Sequence, residues 1–64
     1  MKDVQVAKIQ CEGWNFRIVK RGDEFRIYNI WNELREDGIH THKVLKHRCE
    51  NIAEALIIVA QYMR

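Results

Sequence analysis

The sequence predicts an α+β fold: a four-stranded antiparallel β-meander followed by one C-terminal α-helix packed on one sheet face. Three observations carry this. Each of the three glycines stands beside an acidic residue, as Glu12-Gly13, Gly22-Asp23 and Asp37-Gly38, between runs of strand-like residues. Apolar and polar residues alternate through those runs. The C-terminal stretch then changes to helical spacing.

The first two strands, near residues 4–12 and 14–21, follow from alternation and register. Ala7, Ile9 and Cys11 alternate with Lys8, Gln10 and Glu12; Trp14, Phe16 and Ile18 alternate with Asn15 and Arg17. A two-residue Glu12-Gly13 loop sets Cys11 opposite Trp14, Ile9 opposite Phe16 and Ala7 opposite Ile18. Gly22-Asp23 is a stronger hairpin signal, because glycine accepts the positive φ that such loops need. It pairs Arg21 with Glu24, Ile18 with Ile27, Phe16 with Asn29 and Trp14 with Trp31, which makes residues 24–33 the third strand. Directly opposed residues share a face, so both loops gather the apolar sets of three strands on one side. A one-residue slip in either hairpin would split them.

The fourth strand spans 39–47, rich in β-branched residues. A tight Asp37-Gly38 loop sets Val44 opposite Trp31, Leu45 opposite Ile30 and His47 opposite Tyr28. The alternative is a longer polar loop over 32–38. The helix runs from about 52 to 62, with Asn51 as N-cap and Glu54 three residues on, as in a capping box. On a helical wheel Val59, Met63, Leu56 and Ala60 fall within about 80° of Ile52 and form the expected sheet-facing side. Ile58 and Tyr62 then lie on one flank and Ile57 on the other. These three are surplus apolar surface and the expected interface of a homodimer. Burial on a second side is the normal fate of a helix that is apolar nearly all round.

Composition bounds what such a fold can do. With 64 residues the chain is one small domain over 1–64, and such a domain buries only about 60% of its unfolded surface. Apolar residues at 47% and charged residues at 31% make it globular and not disordered. Residues 1–6 lack the apolar stretch of a signal peptide, and the longest apolar run is 55–60. The expectation is a cytoplasmic protein with no membrane partner. Two cysteines, Cys11 and Cys49, are expected as free thiols, since secreted chains this small carry more.

Catalysis finds little support. The chain has no serine, and its glycines are dispersed and form no phosphate loop. Cys11 falls on the expected core side, where a thiol is inert. His40, His42, His47 and Cys49 resemble a metal series, but strand parity sends His47 and Cys49 to the opposite face from the other two. No metal, no cofactor and no enzymatic activity are expected.

The outer sheet face is the informative one. Lys8 faces Arg17 and Arg17 faces Tyr28, so one cross-strand row reads Lys8–Arg17–Tyr28–His47, with Arg26 and Arg21 beside it and Val6, Val19 and Ile30 as apolar neighbours. Like charges placed directly opposite destabilise a sheet, unless something anionic covers them. Lys43, Lys46 and Arg48 extend the cations along a segment, 40–48, that has three histidines and no acid. The net charge of +2 is too small to demand a nucleic-acid partner and too small to exclude one. A meander with one C-terminal helix is similar in inferred topology to small nucleic-acid-binding domains that present an open sheet. Examples are the single-strand-binding transcriptional coactivators and the arm-binding domains of tyrosine recombinases. The expected function is a non-enzymatic binding module for nucleic acid on Lys8, Arg17, Arg26, Tyr28, Lys43, Lys46 and Arg48. The alternative is a protein-binding or phage-type inhibitor module that docks through its apolar helix or sheet face.

Overall fold

A computed structural model describes residues 2–64. Four antiparallel strands lie in sequence order in one open sheet: β1 (Val4–Cys11), β2 (Trp14–Arg21), β3 (Glu24–Arg35) and β4 (Gly38–Cys49). The helix α1 (Ile52–Tyr62) follows and packs over β3 and β4. The molecule is thin, with Cα extents of 40 × 33 × 14 Å. One sheet and one helix make two layers, and the far face of the sheet is left open.

The first two hairpins form at the expected register. Cys11 pairs with Trp14, Ile9 with Phe16 and Ala7 with Ile18; Arg21 pairs with Glu24, Ile18 with Ile27 and Phe16 with Asn29. Gly22 has φ +62°, at the first position of its two-residue loop, where a II′ turn requires it. Phe16, Ile18 and Ile27 are fully buried and form the core with Cys49, Ala55 and Val59. The regular β1–β2 pairing is interrupted between Gln5 and Ala7, so Val6 is the extra residue of a bulge and not a regular outer-face position.

The third hairpin differs from expectation in three ways. The strands run to Arg35 and from Gly38, so there is no long polar loop, and the two-residue loop is Glu36-Asp37. Gly38 has φ +128°, a conformation that strains an L-residue, and this is why the strand opens on the glycine and the loop ends before it. The shifted loop sets His42 opposite Trp31, Val44 opposite Asn29 and Leu45 opposite Tyr28. A second bulge then changes the register, with Lys46 as the extra residue, and His47 pairs with Ile27. His47 therefore lies on the helix side, with its ring centroid 5.9 Å from that of Tyr62, and does not extend the outer row.

The longer strands carry β3 and β4 past the end of β2. The regular β2–β3 pairing ends at Phe16–Asn29, and beyond it the hairpin continues as a two-stranded arm. Trp31 lies on this arm, beyond the β2–β3 pairing that was expected to match it with Trp14. It stacks on His42 at 5.1 Å and is 42% exposed.

The helix is capped as its sequence predicts. The Asn51 side chain accepts a hydrogen bond from the Glu54 backbone N–H at 2.8 Å. Its orientation on the sheet is rotated from the expected one. Ala55 and Val59 are buried, and Ile58 and Tyr62 pack against the core, whereas Ile52, Leu56, Ala60 and Met63 are exposed. The reason is aromatic. Tyr62 meets Trp14 edge-on at 5.3 Å and Phe16 at 5.6 Å, while Trp14 and Phe16 stack at 5.0 Å. Such clusters add roughly 0.5–1.5 kcal/mol per pair beyond area burial, so they favour turning Tyr62 inward in place of Met63. The small Ala55 allows the first turn to approach the strands. Ile58 and Tyr62 are thus sheet contacts, not surplus surface, and of the three expected interface residues Ile57 alone stays exposed.

Candidate functional site

Strand alternation divides the cations unevenly between the two sides. Lys8, Arg17, Arg21, Arg26, Lys43 and Arg48 stand on the outer face, and Glu24 is the strand carboxylate among them. Two pairs of cations are directly opposed: Lys8 with Arg17, and Arg26 with Arg48. Arg17 is also paired with Tyr28, so the row Lys8–Arg17–Tyr28 forms as expected and ends at Leu45.

The local chemistry of these cations differs. Arg26 donates to Glu24 at 2.6 Å. That hydrogen bond is the main cause holding the Glu24 carboxyl below its usual range and raising the Arg26 guanidinium above its own, so both are charged at neutral pH. Arg21 lies 3.6 Å from Asp3. By contrast Lys8, Arg17, Lys43 and Arg48 have no ion pair among the described residues. The Arg17 Nε is buried and has no hydrogen-bond partner there. Lys43 Nζ sits 4.2 Å from the centre of the Tyr28 ring, close enough for a cation–π contact. Neither this contact nor the Arg26–Arg48 opposition was visible in the sequence, because both depend on the shifted third hairpin.

Lys46 does not join the site. As the extra residue of the β4 bulge, it turns toward the helix side, with its Nζ 5.9 Å from the Trp14 ring centre. Arg48 and Lys43 stand where the expected footprint needs them. Val19 is 8% exposed although it lies on the outer face. Its cross-strand neighbours are Gln5 and Arg26, whose long stems can cover apolar surface while their polar ends reach solvent. The apolar residues of this face therefore act partly as a floor under the cations.

The bulge also puts His40, His42, His47 and Cys49 on one side of the sheet, against the parity expectation. They are spread along the strand, and roughly 15 Å separates His42 from His47 at 3.3 Å per residue. His40 instead meets Asp37 at 2.8 Å, and His42 lies 3.9 Å from Glu33. Among the described residues no three His, Cys, Asp or Glu side chains converge on a metal position.

The two thiols exchange their expected surroundings. Cys11 is exposed at the first turn, whereas Cys49 is 4% exposed and lies in the core. Burial, reinforced by the Glu54 carboxylate, raises the Cys49 thiol above its ordinary pKa, which makes it a poor nucleophile. Among the described residues no helix is long and apolar enough to cross a membrane. Searches of known protein families, curated proteins and solved structures find no match to this chain.

Proposed function

We propose that this protein is a non-enzymatic binding module whose ligand is single-stranded nucleic acid, held across the outer face of the sheet. The observation that carries this reading is the pair of opposed cations, Lys8 with Arg17 and Arg26 with Arg48, on either side of Tyr28. The Lys8–Arg17 opposition has no carboxylate partner, costs energy in the free protein and is relieved by a phosphate between the two side chains, while Glu24 offsets part of the second. From β1 to β4 the cationic path spans about 14 Å at the usual strand spacing, a short site at the lower end of the ~4–16-nucleotide range. Arg17, in the middle of the Lys8–Arg17–Tyr28 row and without an ion pair among the described residues, is the central phosphate ligand. Tyr28 provides a ring for a base to stack on; the Lys43 ammonium then leaves the ring for a neighbouring phosphate. Phosphate contact and stacking are both indifferent to base identity, so binding tolerates sequence.

The test is a titration of labelled single- and double-stranded oligonucleotides against the wild type and an Arg17→Ala/Arg26→Ala variant. The wild type is expected to bind single strands near 50 mM salt, and the variant to bind at least tenfold more weakly. Removing Arg26 also leaves the Glu24 carboxylate facing the ligand. Absence of binding, or equal binding by the variant, overturns the reading and leaves docking on a protein in its place.

A further inference from the structure

We propose that the exposed apolar face of α1 is the contact between two copies of this chain, paired antiparallel about a two-fold axis. This rests on the helix side of the molecule alone and is independent of what binds the opposite face.

The rotation that turns Tyr62 and Ile58 inward leaves Ile52, Leu56, Ile57 and Met63 exposed at 38%, 45%, 61% and 40%. On a helical wheel these residues, with Ala53 and Ala60, fill an unbroken arc about 140° wide that contains no charged residue between 52 and 63. Glu54 and Gln61 lie outside the arc, together on one flank. A surface helix normally carries one apolar stripe, the one it buries; this helix carries a second beside it.

The sheet below α1 is already occupied: the helix lies over β3 and β4, and its Tyr62 reaches Trp14 and Phe16 of β2, where Phe16 and Ile18 are fully buried. The exposed arc therefore faces away from the strands of its own sheet. A second α1 meets that arc, while the first does the same for the other copy, as a closed two-fold contact requires.

The face is complementary to itself in the antiparallel sense. A two-fold axis near the middle of the helix brings the large Leu56 of one copy against the small Ala60 of the other, twice over. Glu50 and Glu54 stand near the start of the helix and Arg64 just past its end, so antiparallel pairing joins opposite charges and opposite helix dipole ends. Parallel pairing would join like ends. The outcome is a sheet–helix–sheet sandwich in which both cationic faces point outward.

The experiment is sedimentation velocity on the full chain from roughly 10 to 500 μM, a range that captures a weak dimer. The mass is expected to rise toward twice 7.7 kDa across that range. Leu56→Glu and Ile57→Glu, both at exposed positions, are expected to remain monomeric with unchanged far-ultraviolet circular dichroism. Leu34→Glu, at the 83% exposed arm, is expected to dimerise like the wild type. A wild type that stays monomeric overturns the proposal. So does a dimer that survives both helix substitutions, or one abolished by Leu34→Glu. If a helix variant does not fold, the wild-type melting temperature decides: it is expected to rise with protein concentration, and a constant value overturns the proposal.

Discussion

Truncating Arg17 and Arg48 together to alanine isolates the part of binding that phosphate neutralisation supplies. Four outer-face cations, Lys8, Arg17, Lys43 and Arg48, have no carboxylate partner among the described residues, whereas Arg26 and Arg21 are already engaged with Glu24 and Asp3. If those four neutralise phosphates, the logarithm of the association constant falls with the logarithm of salt at a slope of about −2.8, from −0.7 per contact on single strands. A rise from about 50 to 200 mM salt then weakens wild-type binding about 50-fold. Removing two of the four contacts halves the slope to about −1.4 and reduces the loss to about sevenfold. Tyr28→Ala acts differently: it lowers affinity at every salt concentration, by roughly 1–3 kcal/mol, and leaves the slope unchanged. Fluorescence anisotropy of a labelled oligonucleotide across four salt concentrations measures all three. A wild-type slope near zero, or one that the double variant leaves unaltered, would refute the reasoning, because the cations would then not be the phosphate ligands.

Three further outcomes follow from the same geometry. Ile27→Ala empties a fully buried core site on β3 and is expected to cost about 2–5 kcal/mol, whereas Leu34→Ala at the exposed arm should change stability by less than about 0.5 kcal/mol; thermal denaturation compares them, and equal effects would contradict the core assignment. Cys11 is expected to react rapidly with a thiol reagent at pH 8 while Cys49 stays protected until global unfolding, which mass spectrometry of the labelled chain resolves by site. The Glu24 carboxyl is held low by Arg26, so its stabilising contact is present above the ordinary carboxyl pKa of about 4.3 and is lost as pH falls through its lower folded value. Glu24→Gln is therefore expected to flatten the acid limb of the stability profile and, by freeing Arg26, to tighten oligonucleotide binding at neutral pH. Unchanged affinity in that variant would mean that Arg26 is not in the site.

What could be read from the sequence depended on how local the deciding interaction was. The loops at Gly13 and Gly22 set two registers, and those registers paired Lys8 with Arg17 and Arg17 with Tyr28. The third hairpin offered Asp37-Gly38 as a loop, but the backbone at Gly38 takes a conformation suited to opening a strand, so the loop falls one residue earlier. The bulges at Val6 and Lys46 have no signature in alternation, because each matters only once two strands are matched over their full length. His47 was expected on the outer row for that reason, whereas Lys46 follows outward Leu45 and falls on the helix side by alternation alone. The helix shows the same limit. Its bounds and its Asn51 cap follow from local spacing, while its rotation is decided by Trp14 and Phe16, more than forty residues away, which draw in Tyr62.

The claim that the outer sheet face binds a nucleic-acid strand is tested most directly by nuclear magnetic resonance of the isotopically labelled chain during titration with a short oligothymidylate at low salt. The account predicts that the Arg17 Nε–H and Tyr28 ring signals move first, together with Lys8, Lys43 and Arg48, while Leu56 and Ile57 on the helix stay still. Signals that do not move near 50 mM salt, or shifts confined to α1, would contradict it.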